Sequence, residues 1–206
     1  METTLKIRKV PLEDLRPTQI TVGYRAVRHK RHQWRDVRES KSKRREFLED
    51  HVVPVVIGPK GAMFATDHHH VARALLEEGV DKVLVGIHGD LSALPKWTFW
   101  NFMDQRSWCR PCDDHGRRHD FDDIPEALGN LLDDPYRSLA AAVERAGGYA
   151  KETMPFSEFL WADFFRTHMR RATLEADFDR AVEKALRLAR SPGAAYLPGW
   201  CPPLHT

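Results

Sequence analysis

The stretch MFATDHHHVARALLEEG, residues 63–79, decides the fold. A strand-like run ends in Asp67 and three consecutive histidines, and a helical pattern begins at once. Asp67 suits the N-cap, Val71, Ala74, Leu75 and Glu78 share one helical stripe, and Gly79 suits the C′ position that closes a helix. Upstream, VVPVVIGPKGAMFAT reads as strand, turn, strand, the turn being Gly58-Pro59-Lys60-Gly61. Pro54 inside the first run belongs at a sheet edge or at an irregularity. Downstream, DKVLVGIHG supplies a further strand. Strands and helices that alternate in this way predict a compact, mixed α+β unit.

Outward from this centre the pattern is less regular. Leu5, Ile7 and Val10 suggest a first strand stopped by Pro11, and Leu12–Leu15 one helical turn before Pro17. Residues 22–51 are strongly polar, and one or two helices anchored by Trp34, Val37, Phe47 and Leu48 fit them. After Pro95 the aromatic run KWTFWNFMDQRSW predicts a helix, and CRPCDDHGRRHDFDD a polar connection. Further helices are predicted over Ile124–Leu132, DPYRSLAAAVERAG, PFSEFLWADFFRTHM and LEADFDRAVEKALRLAR. The expected division is an α+β domain over 1–95 and a helical C-terminal extension over 96–206 packed on it. Trp97, Phe99, Trp100, Phe102 and Trp108, with Phe156, Phe159, Trp161, Phe164 and Phe165, are expected as core between the halves.

The 206 residues are 42% hydrophobic with a formal net charge of +2, which argues against disorder and against a protein that mainly coats nucleic acid. METTLKIRKVPLEDL has no apolar signal core, and no window reaches the roughly 18 apolar residues of a membrane span. Three cysteines are too few, and odd in number, for a disulfide framework. A cytoplasmic protein with no membrane partner is expected.

The first turn of a helix exposes backbone N–H groups and the positive end of its dipole, a ready place for an anion. Histidines there donate to phosphate oxygens or relay protons near neutral pH. Asp67 beside them could orient an imidazole, hold a cation, or cap the helix. Zinc held by all three histidines conflicts with geometry, because successive helical residues point about 100° apart. One or two of them joining His88 is the metal alternative, and a capped helix end with partly exposed histidines the plain one. Residues 25–45 carry ten Lys/Arg against Asp36 and Glu39. They read as a solvated helical face or as a phosphate track, and Arg25, Arg28 or Lys30 would line an anionic pocket if the helix packs over the histidines. Gln19 and Tyr24 are further pocket candidates by position. Cys109, Cys112, His115 and His119 have metal-like spacing in a segment that equally suits a surface loop. Tyr136, Arg137 and Ser138 open a helix that Asp133 or Asp134 would cap.

The order strand, GPKG turn, strand, TDHHHVARAL resembles the ParB/sulfiredoxin superfamily, in particular its ParB-like nuclease branch. VPLEDLRPTQ is similar to the superfamily's entry segment, and DDPYRSLAAAVERAGGYAK with PFSEFLWADFF to the C-terminal half of that branch. The resemblance implies a ParB/sulfiredoxin-like mixed sheet with an all-helical C-terminal half. In such relatives the segment matching Asp67–Ala74 reads Asp-Gly-His-His-Arg-x-x-Ala and cradles nucleotide phosphates. Asp67, His69, His70 and Ala74 match; His68 replaces the glycine and Val71 the arginine. The resemblance makes Asp67, His69 and His70 the candidate catalytic residues, and His68, Arg73, Arg25, Gln19 and Tyr24 are the substrate- or phosphate-binding candidates. The implied activity is phosphoryl transfer or phosphodiester hydrolysis on a small anionic ligand or nucleotide, with a nucleotide or a divalent metal as candidate cofactor. The alternative is a non-catalytic nucleotide- or DNA-binding module of partition-protein type. The helix lacks the cysteine that sulfiredoxin chemistry needs.

Overall fold

The computed structural model describes residues 6–202. Seven strands and eight α-helices follow one another as β1 (Lys6–Pro11), β2 (Leu15–Arg16), β3 (Thr21–Val22), α1 (Tyr24–Val37), α2 (Lys41–Asp50), β4 (Val53–Ile57), β5 (Met63–Ala65), α3 (His69–Glu77), β6 (Lys82–Asp90), α4 (Lys96–Gln105), β7 (Leu132–Asp133), α5 (Pro135–Arg145), α6 (Ser157–His168), α7 (Arg171–Ala176) and α8 (Phe178–Ala189). The fold is α+β, with a mixed five-stranded sheet in the order β1-β6-β4-β5-β2 and the later helices gathered in the C-terminal half. Leu5, expected in the first strand, lies outside the described residues. No helix among the described residues is long and apolar enough to cross a membrane.

Strand alternation assigns the two faces of the sheet. Val55 and Ala65 pair across β4 and β5 and join the core under α1 and α3, with Val27, Trp34, Val71 and Leu75. Val56 and Phe64, the next pair, point the other way and pack with Phe99, Trp100 and Met103 of α4. Helix α3 ends in a Schellman motif: Gly79 N–H donates to Leu76 O, Val80 N–H to Leu75 O, and Gly79 takes φ +69°.

Several expectations need correction. The N-cap of α3 is His68, in the left-handed conformation at φ +61°, and Asp67 accepts the His68 N–H at 2.6 Å. Of the two places open to Pro54, the edge fails, because its strand is central, and the irregularity holds: a register shift falls between Val55 and Val56, and the Pro54 carbonyl accepts the Thr66 N–H. Residues 124–132 form no α-helix: Pro125 intervenes, Leu128–Asn130 make a single 3-10 turn, and Leu132 pairs with Thr21. Buried Leu128 and Leu131 there complete the core under α3. The final helical run breaks at Asp177, whose carboxylate caps α8 by accepting the Arg180 N–H. The aromatic residues divide between two cores rather than one, because α4 covers the sheet whereas Trp161, Phe164 and Phe165 pack with Tyr136 and Leu139 of α5. Trp97 is 72% exposed.

Segment 17–23 ties these parts together. Its strand β3 runs parallel to β7, and Tyr24 N–H donates to Asp133 Oδ1 at 2.7 Å. Gly23 is the N-cap of α1, and a methyl there would lie 2.6 Å from both Ser138 N and Ser138 Oγ. Gly23→Ala is expected to cost about 1–3 kcal/mol through this overpacking, read as a lower urea midpoint at unchanged m-value.

Candidate functional site

The first two residues of α3, His69 and His70, meet segment 17–23. Thr18 N–H donates to His69 Nε2 at 3.2 Å, and Thr18 Oγ1 donates to Ala65 O at 2.8 Å. Gly23 N–H donates to His70 Nε2 at 3.0 Å. An imidazole nitrogen that accepts carries no proton, so each ring holds its proton on Nδ1. Burial pushes His69 down to about 3, and it pushes His70 well below the usual histidine range, followed by the charge of Arg137. Both rings are neutral wherever the protein is folded near neutral pH. His69 is buried and turned inward, whereas His70 is half-buried and its Nδ1 has no hydrogen-bond partner among the described residues.

Asp67 is exposed, and His68 beside it is half-buried, its buried Nδ1 without a partner among the described residues. The His68 ring lies 6.2 Å from that of His51, which stacks on Phe47 at 4.3 Å. His51 Nδ1 bonds to Phe47 O at 2.8 Å, leaving Nε2 to face the Lys30 ammonium at 3.1 Å. Lys30 thus has an imidazole as its side-chain partner where a carboxylate is usual. Its pKa is held down by burial and then by the charges of Lys151 and Arg145. The His70 ring feels Arg137, Lys30 and Arg145 as well. The charges of Lys30, Arg137 and Arg145 thus act together on the first turn of α3.

Arg137, in the first turn of α5, completes the wall. It is 2% exposed, its Nη1 donates to Thr21 O at 2.5 Å and its Nη2 to Glu158 Oε1 at 3.0 Å, and it lies 3.8 Å over the Phe159 ring. Its Nε has no partner among the described residues. Gln19 is buried and donates to the same Thr21 carbonyl at 2.8 Å.

The sequence candidates therefore separate. His69 and His70 bond to segment 17–23, which contains Gln19, while Asp67 and His68 lie just before them in the chain. Arg73 reaches away, to Glu77 and to the carbonyls of Leu128, Gly129 and Leu131. Tyr24 donates its hydroxyl to Leu131 O, and Arg25 lies over Phe178 at the edge of a separate cavity of about 210 Å³. Arg31, Arg35 and Arg38 of the basic stretch are engaged by Glu77 and Glu78. Among the described residues no group of three or more His, Cys, Asp or Glu is placed to hold a metal. His88 instead bonds to Thr66 and meets Trp108 edge-on, and Cys109 is buried with its thiol pushed up to about 12. His119 is occupied by Asp113 at 2.9 Å. His51 carried no sequence signal, since it follows a polar helix; Arg137 was marked only by its place at a helix start.

A strand–turn–strand–helix unit on a mixed sheet, with a polar turn at the helix start and a helical C-terminal half, defines a ParB-like fold. The family described as "Putative ParB-like nuclease" matches residues 8–167, and the chain belongs to it. Protein Atu1540 from Agrobacterium tumefaciens has a similar crystal structure, 46% identical, with a TM-score of 0.89 over 96% of this chain and 97% of that one. Among curated proteins none matches.

Proposed function

We propose that the start of α3 binds the phosphate group of a small ligand, with phosphoryl transfer or phosphodiester hydrolysis as the class of reaction. The observation that carries this reading is the row Lys30–His51–His68 beside the α3 N-terminus. There a half-buried ammonium is partnered by a neutral ring and crowded by Arg145 and Lys151. An anion would relieve that crowding and accept from Lys30, from His70 Nδ1–H and from the first N–H groups of α3. His69 and His70 set the position of segment 17–23 through Nε2, so in this reading proton transfer falls to exposed Asp67 and to His68. Family membership adds the reaction class.

The test is thermal denaturation with inorganic phosphate, pyrophosphate and nucleoside phosphates. At ten times its Kd a ligand adds about 1.4 kcal/mol, a rise of about 3–5 °C in Tm. Lys30→Met should remove most of that rise. Equal shifts in wild type and Lys30→Met would place the anion elsewhere. Hydrolysis of bis(4-nitrophenyl) phosphate, set against the monoester, separates the two reactions.

A further inference from the structure

On the α4 face of the sheet, well apart from Lys30 and His51, lies a cavity of about 370 Å³. Its lining includes four aromatic rings: Phe64 of β5, Phe99 and Trp100 of α4, and Phe121 of the 121–123 turn. Trp100 and Phe121 stack nearly parallel, 9° apart with centroids at 5.7 Å, and Phe64 meets Phe99 and Trp100 at 4.8 and 5.3 Å. Gly58 keeps this wall in place, since a methyl there would lie 2.5 Å from Phe64 and 2.8 Å from Phe99.

The rim is charged and unequal. Lys96 pairs with Asp122 at 2.5 Å and Arg16 with Glu126 at 3.8 Å, while Lys60 has no carboxylate partner among the described residues. Three cations thus meet two carboxylates. Lys60 also holds φ +60°, a left-handed conformation that glycine adopts without strain. A lysine at a position that favours glycine points to a use for its side chain.

We propose that this cavity binds a flat aromatic monoanion of one or two fused rings, its ring against the aromatic wall and its carboxylate on Lys60. The volume lies in the range of small-molecule pockets, and aromatic walls favour a planar apolar body. A single unspent charge matches one carboxylate and leaves a triphosphate largely uncompensated. The site is independent of the phosphate reading above.

The probes are 2-naphthoate and its neutral match, 2-naphthamide, titrated into the full chain while the indole N–H signal of Trp100 is followed by NMR. Trp100→Phe identifies that signal. The acid should shift it saturably and bind about tenfold more tightly than the amide, the worth of one charge-assisted hydrogen bond at an accessible rim. Lys60→Gly relaxes the backbone while deleting the charge, so it should fold well and bring acid and amide to equal affinity. Phe121→Ala, in a short surface turn, should weaken both probes alike. The absence of a saturable shift, equal binding of acid and amide by wild type, or an unchanged preference in Lys60→Gly would each overturn the proposal.

Discussion

Arg137→Met is expected to lower the stability by about 2–4 kcal/mol. The guanidinium joins three parts of the molecule: the Thr21 carbonyl of segment 17–23, Glu158 at the start of α6, and the face of Phe159. Deleting it leaves Thr21 O with Gln19 as its remaining side-chain donor and removes a cation–π contact shielded from water. Glu158 is 35% exposed along its side chain and regains water, so the stranded-charge penalty of a fully buried pair does not apply in full. Methionine fills much of the space, which keeps the expected loss below that of an open cavity. Urea unfolding of wild type and variant measures the effect, and a loss under about 1 kcal/mol would show that Arg137 holds little together. Arg137→Lys should recover only part, because one ammonium cannot serve two divergent acceptors and stack on a ring.

Acid should unfold the protein from an unusually high pH. His69 is pushed down to about 3 and His70 well below its ordinary value, chiefly by burial, while unfolded histidine titrates near 6.5. The folded state therefore binds fewer protons than the unfolded one below pH 6.5. The two histidines leave stability intact above that pH, and stability drains as pH falls from there toward the folded values. Each contributes about 1.4 kcal/mol per pH unit, so pH 5.5 should cost about 3 kcal/mol in total relative to pH 7.5. His51 and His88, also lowered first by burial, act in the same sense, and His119, raised by its bond to Asp113, acts against it. Urea midpoints across this range are the measurement. A His69→Gln/His70→Gln variant keeps an acceptor near each backbone N–H and should flatten the curve; an equally steep curve would assign the protons elsewhere.

The hydrophobic period and its punctuation made the central unit readable. The stripe Val71, Ala74, Leu75 and the closing Gly79 are where the pattern puts them, as are the two strands around Gly58–Gly61. Elements made by pairing partners distant in sequence were not readable. Thr21–Val22 and Leu132–Asp133 are two-residue strands that exist because each finds the other, and nothing local marks them. The same holds at the candidate site. Asp67-His-His-His is visible as a string, yet what the rings do depends on which backbone N–H groups stand over them. Arg73 looked suited to an anion and is spent on carbonyls of a loop the sequence suggested was helical. His51 became relevant only because α1 brings Lys30 onto it.

Segment 17–23 has a consequence for the order in which the chain is made. Its partners emerge late: Thr18 and Gly23 wait 51 and 47 positions for their histidines, and Tyr24, Arg25 and Thr21 wait 109, 113 and 116 positions for Asp133, Ser138 and Arg137. At about 5–20 residues per second, ribosomal synthesis leaves the last of these contacts unmade for roughly 6–23 s after Thr21 is added. During most of that interval β3 has no β7 beside it, and until Gln105 is added Val56 and Phe64 have no complete α4 to cover them. A nascent chain stalled near residue 95 should therefore be open to proteases at 17–23, and one released beyond residue 140 should begin to resist them.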